Sequence, residues 1–403
     1  MTAAVPLLAG WASALLLAAL DGRDRRVGWL AVLLGAGLLA SLGLLAGAAA
    51  RGADPSTVTG GWPAEAGIRL AADPLGLLFA LVSVGLLVAV LAFEVAHGPR
   101  TRSFPALVLF LATGLTGLFL TGDLFNFYVF FELVMVSSFA LAGYGGGGPE
   151  SRAAAIFTVI NLVGSVVFLG AVATVYRLTG TLELAAVARA AREAPDGAVL
   201  LVAALLLVAF GLKLGLFPFH AWLPAVYRET RPAVAAAFAG AVANVGSYGL
   251  IRFGGDLFPQ AVSAGRPALL LLGGASILYG GLQAVHRRAL PDVLAYSSIG
   301  QVGYTVVALA VGGPAGLTAA ILYSLVNSLH KTGLFLGAGS AGAGVAGAFL
   351  VGGLSLAGLP PFAGFAGKAA VFRAGLDGGD WSWALLAVLA AGSALSFVYV
   401  LQA

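Results

Sequence analysis

Long apolar stretches limit what this chain can fold into more than any other feature of its sequence. Stretches of about 18 residues or more, each long enough to cross the hydrocarbon core of a bilayer as a helix, recur over the whole chain. Hydrophobic residues make up 60% of the 403 residues and charged residues 9%, whereas a soluble domain carries roughly one quarter charged residues. The sequence therefore predicts an all-α, polytopic integral membrane protein.

The apolar stretches predict thirteen transmembrane helices with no soluble domain between them. The expected spans are residues 3–20, 27–50, 74–96, 104–121, 123–143, 152–176, 198–219, 232–253, 266–285, 290–311, 316–339, 342–375 and 381–402. The first span has no charged segment before it and no clear cleavage site after it, so we expect a retained helix and not a signal peptide. Alternate loops carry ten and eight arginines, and this bias favours an N-terminus outside the cell.

Two connections between the spans are expected to be structured. Residues 57–73 (TVTGGWPAEAGIRLAAD) are short, turn-rich and compatible with strands, which predicts a small hairpin on the outer face. Residues 181–194 (TLELAAVARAAREA) start with a potential threonine cap and alternate apolar with charged residues at helical spacing. We therefore expect an amphipathic helix at the membrane interface.

The composition excludes several kinds of site. The chain has no cysteine, which excludes disulfides, thiolate nucleophiles and cysteine-ligated metals. Its four histidines are scattered, so no metal site is expected. The net charge of +4 is small and unclustered, which excludes a nucleic-acid surface. No residues form a recognisable cofactor site, and no cofactor is expected.

The three lysines are placed differently from the eighteen arginines. Lys213, Lys331 and Lys368 all lie inside predicted spans, whereas no arginine lies at the centre of one. Arginine stays charged at essentially any pH, but a buried lysine can exchange a proton near neutrality. A charge at the centre of a span costs about 2.5 to 3.5 kcal/mol on insertion scales. We therefore expect these lysines to carry protons.

Glu132 is the only acid deep inside a predicted span. A carboxylate and an ammonium stabilise each other's charged forms in a membrane, so Glu132 is expected to pair with Lys213 and to act as a switch when a proton arrives. A static ion pair that fixes helix packing is the alternative. The second half offers Lys331 and Lys368 no acid within the membrane, which favours proton carriage there.

Other polar residues at membrane depth are secondary candidates for a proton relay. These candidates are His220, Asn244, Tyr296, Ser298 and His330. Histidine needs little perturbation to titrate near neutral pH, and the polar segment 295–305 (AYSSIGQVGYT) is expected to line a hydrated path. The alternative is that these residues form interfacial contacts or helix–helix hydrogen bonds, each contributing under about 1 kcal/mol.

Prolines interrupt two predicted spans beside a lysine. Pro218 follows Lys213, and Pro360 and Pro361 precede Lys368. Backbone groups freed at such breaks can line a hydrated cavity, and paired broken spans are typical of inverted-repeat transporters. A simple kink is the alternative, and the lysine beside each break favours the transporter.

Five ordered stretches of the sequence resemble one known family over essentially the whole chain. They are 121-TGDLFNFYVFFE-132, 213-KLGLFPFHAWLP-224, 294-LAYSSIGQVGY-304, 331-KTGLFL-336 and 355-SLAGLPPFAGFAGK-368. These stretches resemble the D-type membrane component of Mrp multisubunit cation/proton antiporters. That component belongs to the wider group of antiporter-like subunits of respiratory complex I and membrane-bound hydrogenases.

The resemblance implies a fourteen-helix fold with two inverted repeats of five helices, each containing a broken helix. It implies three divisions of this chain: an N-terminal part at 1–103 with helices 1 to 3 and the outer hairpin, a first repeat at 104–253, and a second repeat at 254–403 that ends before the fourteenth helix. It also implies a proton line through Glu132, Lys213, Lys331 and Lys368, the residues that the charge pattern already indicates.

The sequence departs from the family pattern at several positions. Asn244 in 244-NVGSY-248 stands where the family commonly has a lysine, and asparagine can bind water but cannot carry a proton. The family's Leu-Pro-Asp-Ala is 223-LPAV-226 here, and its Asp-Leu-Lys-Arg before the tenth span is 289-ALPD-292. The connection between the eleventh and twelfth spans is also shorter than usual.

The resemblance and the charge pattern predict a proton-translocating subunit of a Na⁺/H⁺ antiporter and not an enzyme. We expect it in the plasma membrane of a prokaryote, with other membrane subunits as partners and protons and sodium ions as the transported species. The main alternative is a proton-pumping subunit of a complex I-like oxidoreductase or a membrane-bound hydrogenase. A structural scaffold without transport is the third possibility, which Asn244 motivates.

Overall fold

The computed structural model describes residues 2–61, 67–98, 101–339, 343–376 and 379–402. These residues are almost entirely helical. The helices are α1 (Ala4–Ala19), α2 (Arg25–Ala50), α3 (Pro74–His97), α4 (Phe104–Leu120), α5 (Leu124–Ala142), α6 (Gly148–Thr179), α7 (Leu184–Ala190), α8 (Asp196–Leu214), α9 (Trp222–Glu229), α10 (Pro232–Leu257), α11 (Pro259–Ala264), α12 (Arg266–Val285), α13 (Leu290–Val311), α14 (Gly313–Ala338), α15 (Ala343–Ala357), α16 (Ala363–Leu376) and α17 (Ser382–Gln402).

The helices confirm the prediction of an all-α polytopic membrane protein. Within the described ranges, nine helices are long and apolar enough to cross a membrane: α2, α3, α5, α6, α8, α10, α12, α13 and α17. Three shorter apolar helices are Ala4–Ala19, Phe104–Leu120 and Ala346–Ala357. Each predicted span coincides with one helix or with two consecutive helices. The number of helices that cross the bilayer, the inverted repeats and the divisions at 1–103, 104–253 and 254–403 stay predictions.

The predicted hairpin is present. Strand β1 (Thr57–Val58) pairs with antiparallel strand β2 (Arg69–Leu70), and Thr57 lies opposite Leu70. The segment between the strands includes residues 62–66, which lie outside the described residues. Part of the short connection between α14 and α15, residues 340–342, also lies outside them.

Acidic side chains set where several helices begin. Asp73 accepts a hydrogen bond of 2.9 Å from Gly76 N–H at the start of α3, and Asp123 accepts one of 2.7 Å from Asn126 N–H at the start of α5. Glu183 does the same for α7 at 2.6 Å. Helix α7 therefore begins after Glu183 and not after Thr181, because the carboxylate satisfies a backbone donor of the first turn.

Both proline-containing spans are interrupted where the sequence predicts. Helix α8 ends at Leu214, followed by Gly215 with φ +67°, and α9 begins eight residues later at Trp222. Helix α15 ends at Ala357, followed by Gly358 with φ +88°. Glycine adopts such left-handed conformations without the penalty that a side chain brings. Each break therefore lies beside one of the predicted lysines.

Helices α10 and α13 form the centre of the molecule. In each, 94% of the most apolar segment is buried by other helices. Helix α10 contains two π-helical turns, Phe238–Val242 and Arg252–Leu257. Helix α13 packs closely on α12, because a Cβ atom added at Gly273 would lie 3.0 Å from the carbonyl oxygen of Gly303. Small residues at such crossings allow helix backbones in membranes to approach closely.

A charged cluster ties the end of α10 to the start of α3. The Arg252 guanidinium donates to both carboxylate oxygens of Asp73, at 2.6 and 2.5 Å, and to Asp256 at 2.8 Å. It also donates to the hydroxyl of Tyr248 at 3.1 Å. Arginine can satisfy several acceptors at once because its five donors form a planar fork.

We expect Arg252→Gln to lower the free energy of unfolding by about 2 kcal/mol, because it leaves two carboxylates without their charged donor. Thermal denaturation of the purified protein in detergent measures this change. Arg69→Gln is the matched control, since Arg69 lies 3.9 Å from Asp54 and both side chains are exposed. An exposed pair contributes below about 1 kcal/mol, so equal losses in the two variants would contradict the proposed role of Arg252.

Candidate functional site

Lys213 lies in the last turn of α8 and is enclosed by residues of α5 and α6. Its Nζ donates to Asn161 Oδ1 at 3.2 Å and lies 2.8 Å from the sulfur of Met135. The rings of Phe157 and Phe131 flank the same nitrogen, with centroids 5.3 and 5.7 Å away. Only 4% of the residue is exposed. Neutral acceptors and aromatic faces therefore surround this ammonium group.

Glu132 lies one turn before Met135 on α5 and faces α6. Its Oε1 accepts a hydrogen bond from the hydroxyl of Ser165, a buried residue of α6. Among the ion pairs of the described residues, none joins Glu132 to Lys213. The expected direct ion pair is therefore not formed. Ser165 donates to the carboxylate, while Asn161 and Met135 contact the ammonium group of the lysine.

Helix α6 connects the two charged groups indirectly. Asn161, which accepts from Lys213, and Ser165, which donates to Glu132, are four residues apart on this helix. Residues with this spacing lie on the same helix face. Asn161 also donates to the carbonyl oxygen of Phe157 at 2.8 Å, which fixes the orientation of its amide. One face of α6 therefore contacts both Glu132 and Lys213.

Lys331 is fully buried in α14 and contacts the polar segment predicted at 295–305. Its Nζ donates to the carbonyl oxygen of Leu294 at 3.1 Å and to the hydroxyl of Ser297. Ser298 donates to the same carbonyl oxygen at 2.8 Å, within its own helix. Ser297 is therefore the contact of this lysine, and the predicted candidate Ser298 is its neighbour on α13.

Lys368 lies in α16, beside the second helix break. Its Nζ donates to the carbonyl oxygen of Ala357 at 2.9 Å, the last residue of α15, and lies 5.4 Å from the ring centroid of Tyr304. The residue is 5% exposed. The break therefore supplies a free carbonyl group to the lysine, as expected for backbone groups at an interrupted span.

A buried hydrogen-bond network surrounds Tyr304. Its hydroxyl donates to the carbonyl oxygen of Leu389 at 3.2 Å and lies 3.3 Å from Ser393 Oγ, while its ring stacks on Tyr323. Tyr323 donates to Gln301, whose amide donates to Tyr399 at 2.8 Å and to Ser396 at 3.3 Å. Ser297, Gln301 and Tyr304 recur at helical spacing on α13, so one face of this helix runs from Lys331 to Lys368.

Several partners in this network, on other helices, are not among the residues predicted from the sequence. Ser393, Ser396 and Tyr399 follow one another every three residues along α17, and Tyr323 lies on α14. Such polar spacing in an otherwise apolar span is a signal that could have indicated them, because it places the residues on one face.

A cavity of about 490 Å³ lies beside Lys368. Lys368, Arg373 and Ser393 contribute polar groups to its lining. The exposed side chains of Phe365 and Leu376 also line it. The cavity therefore connects the surroundings of this lysine with the surface of the chain.

The two predicted relay histidines, His220 and His330, lie near the two helix breaks. His330 Nε2 lies 2.7 Å from the hydroxyl of Ser355, which also accepts the N–H of Gly364 at 3.1 Å. His220 lies between α8 and α9, with its ring 4.5 Å from that of Tyr279 and 5.3 Å from that of Phe217. Each histidine is therefore next to a break, but neither contacts a lysine side chain through a hydrogen bond among the described residues.

Asn244 and Tyr296 form hydrogen bonds with residues other than the lysines. Asn244 donates to Ser83 of α3 at 3.0 Å and is almost completely buried. The hydroxyl of Tyr296 accepts from Arg287 at 3.3 Å, and the guanidinium lies 4.6 Å from its ring centroid. In the described part of the chain, no hydrogen bond links the surroundings of Lys213 to those of Lys331. Water between them would be needed for proton exchange.

The site contains groups that can exchange protons. No group of three or more histidine, aspartate or glutamate side chains in the described ranges could hold a metal ion. Buried lysines, a half-buried glutamate and hydroxyl groups can bind, hold and release protons. The arrangement therefore suits proton transfer inside a membrane.

The chain is similar to known membrane proteins. The family model "NADH:quinone oxidoreductase/Mrp antiporter, TM" matches residues 121–346. The chain is 32% identical over 352 residues to the D-type component of the Na(+)/H(+) antiporter of Bacillus subtilis, covering 82% of this chain and 71% of that protein. It is 36% identical over 369 residues to the N-type component of the NADH-quinone oxidoreductase of Desulforudis audaxviator, covering 84% and 72%.

A solved structure shows the same fold. A chain in the structure of the Mrp complex from Dietzia sp. DQ12-45-1b superimposes with a TM-score of 0.89 and 30% identity, covering 99% of this chain and 77% of that chain. The matched segment 121–346 contains Glu132, Lys213 and Lys331. These similarities, together with the buried lysines and the broken helices, show that the chain belongs to the NADH:quinone oxidoreductase/Mrp antiporter family of membrane subunits.

Proposed function

We propose that this chain is the proton-translocating subunit of a multisubunit Na⁺/H⁺ antiporter in the plasma membrane of a prokaryote. The observation that carries the proposal is the burial of Lys213, Lys331 and Lys368, whose exposed fractions are 4%, 0% and 5%. Their ammonium groups donate hydrogen bonds only to neutral acceptors among the described residues. The similarity to a Na(+)/H(+) antiporter component and to a chain of an Mrp complex supports the antiporter assignment. Other membrane subunits of such a complex are the proposed partners.

Neutral acceptors suit a lysine that must release its proton. A direct carboxylate contact would hold an ammonium in its charged form, because separating a buried ion pair costs several kcal/mol, about 3 to 5 when one partner is lost. The amide oxygen of Asn161 and the carbonyl oxygen of Ala357 bind the ammonium without a countercharge. Ring faces such as those of Phe157 and Tyr304 contribute about 0.5 to 2 kcal/mol to the charged state. Both lysines can therefore gain and lose a proton with modest rearrangement.

Glu132 is the proposed modulator of Lys213. Its charge acts on Lys213 through space and through α6, whose Ser165 and Asn161 contact the two groups separately. If Glu132 takes up a proton, the hydrogen bond from Ser165 weakens, because its acceptor is then a neutral carboxyl and no longer a carboxylate. This change occurs one turn from the amide that holds Lys213.

In the proposed path a proton enters near α8 and α10 and loads Lys213. Water carries it past Asn244 and His330 to Lys331, which is the connector, and then to Lys368, which is the exit carrier. The face of α13 between Lys331 and Lys368 and the cavity beside Lys368 support this second part of the path. Inward proton movement is coupled to sodium export by the assembled complex.

The alternative function is proton pumping in a complex I-like or hydrogenase complex. The 36% identity to a component of an NADH-quinone oxidoreductase favours it. The same lysines would then respond to redox chemistry in other subunits. Neighbouring genes distinguish the two: small antiporter subunits indicate the first function, and quinone-reductase or hydrogenase subunits indicate the second. A scaffold without transport is a third possibility, and unchanged transport after replacement of Lys368 would favour it.

We expect Lys213→Ala to abolish sodium uptake driven by a pH gradient, because it removes the first proton carrier. The measurement uses everted vesicles, and native gel electrophoresis checks that the complex still assembles. Lys213→Arg is the informative second variant: it keeps a positive charge that is not released at accessible pH, so it should also be inactive. Normal antiport by either assembled variant would refute the assignment.

We expect Ser165→Ala to reduce antiport about tenfold, since the loss of one hydrogen bond to a charged group corresponds to about 1.5 kcal/mol. Ser138→Ala is the matched control. Ser138 is buried on α5, but its hydroxyl donates to Val134 of the same helix at 2.7 Å. Similar losses in the two variants would show that Ser165 does not act through Glu132.

We expect Tyr304→Phe to retain more antiport activity than Tyr304→Leu, because only the phenylalanine keeps an aromatic face beside Lys368. Both variants lose the hydroxyl contacts to Leu389 and Ser393. Comparing their initial rates at equal expression therefore separates the ring from the hydroxyl group. Equal activities would show that the ring face does not contribute.

A further inference from the structure

An apolar groove lies where the predicted first and second repeats meet. Its walls come from α8 and α10 on one side and from residues 258–269 on the other, and its volume is about 190 Å³. The buried rings of Phe210, Phe253 and Phe258 line it. The rest of the lining consists of other apolar side chains and three glycines. Leu200 of α8 lines the groove and is exposed on the surface of the chain.

Two glycines on α10 allow the walls of the groove to pack closely against this helix. Gly254 lies in the π-helical turn at the end of the helix, and a Cβ atom added there would lie 3.0 Å from Val262 and 3.4 Å from Leu309. Gly249 allows Phe210 to pack directly against the helix, since an added Cβ would lie 2.5 Å from its ring. π-Helical turns are frequently found at functional sites. A side chain at Gly254 would narrow the groove.

A second cavity adjoins the groove near the start of α12. It has a volume of about 310 Å³ and shares Gly254, Val262 and Leu309 with the groove. Its lining differs in chemistry, because it includes Arg266 and Ser263. Arg266 is the first residue of α12, a 20-residue helix, so the positive end of the helix dipole lies at the same place. The two cavities therefore adjoin each other across one wall, and the first is apolar while the second has basic and polar groups in its lining.

We propose that these two adjoining cavities bind a glycerophospholipid, with one acyl chain in the groove and the phosphate beside Arg266. An acyl chain is the apolar molecule available to a groove on the surface of a membrane-spanning chain. An arginine guanidinium matches the geometry of a phosphate group. A transmembrane helix of a partner is about 10 Å across and does not fit a groove of 190 Å³. The bound lipid fills the seam between the two predicted repeats, independently of the proposed transport function.

The acyl-chain part is tested by native mass spectrometry of the purified complex with added palmitoyl-oleoyl phosphatidylglycerol. Ala204→Trp places a large side chain at the mouth of the groove, and we expect about a tenfold loss of retained lipid. Leu201→Trp is the matched control, since Leu201 is exposed on the same helix but does not line the groove. Equal retention in the two variants would overturn the proposal.

The headgroup part is tested by Arg266→Gln, which should reduce lipid retention about fivefold, the effect of one basic residue near a membrane surface. Arg177→Gln is the control, because Arg177 is an exposed residue at the end of α6. Unchanged binding to Arg266→Gln would overturn the headgroup assignment. A wild-type complex that retains no phosphatidylglycerol, while the separated chain binds it, would show that another component of the complex covers the groove and would also overturn the proposal.

Discussion

The cost of an unpaired polar group in hydrocarbon is the constraint on which this structure depends. A membrane-spanning helix satisfies its own backbone, but a broken one exposes backbone groups that need partners. At the first break Phe217 N–H donates to Ser276 at 2.8 Å, and the Trp222 indole donates to the carbonyl oxygen of Leu212 at 2.8 Å. At the second break Lys368 donates a hydrogen bond to the carbonyl oxygen of Ala357. Side chains thus stabilise interruptions that the bilayer would otherwise disfavour.

The two broken spans hold their lysines in related but unequal ways. Lys213 depends on side chains of neighbouring helices, Asn161 and Met135, whereas Lys368 depends on the backbone of its own broken span. An aromatic face lies near each ammonium group, from Phe157 in one case and Tyr304 in the other. Changes in helix packing therefore affect the first lysine directly, while changes at the break itself affect the second.

The sequence predicts the helices, both breaks and the buried lysines, because apolar length, proline and charge act locally. It does not predict which side chains meet. As the only acid deep in a predicted span, Glu132 is expected to contact Lys213. In the structure, Glu132 accepts from Ser165 and Lys213 donates to Asn161, both on α6. Two partners of Gln301, Ser396 and Tyr399, lie almost one hundred residues further along the chain. Such contacts depend on helix rotation and packing, which apolar periodicity hardly encodes in helices that are apolar all round.

Ser355 links the two sides of the second break to helix α14. Its hydroxyl group is shared between the ring of His330 on α14 and the N–H of Gly364 on α16, so one oxygen joins both sides of the interruption to a third helix. A histidine with protons on both nitrogens can only donate. The serine would then have to turn its hydrogen elsewhere while it keeps accepting from Gly364. Protonation of this imidazole on both nitrogens would thus fix the direction of a hydrogen bond that holds two helix ends together.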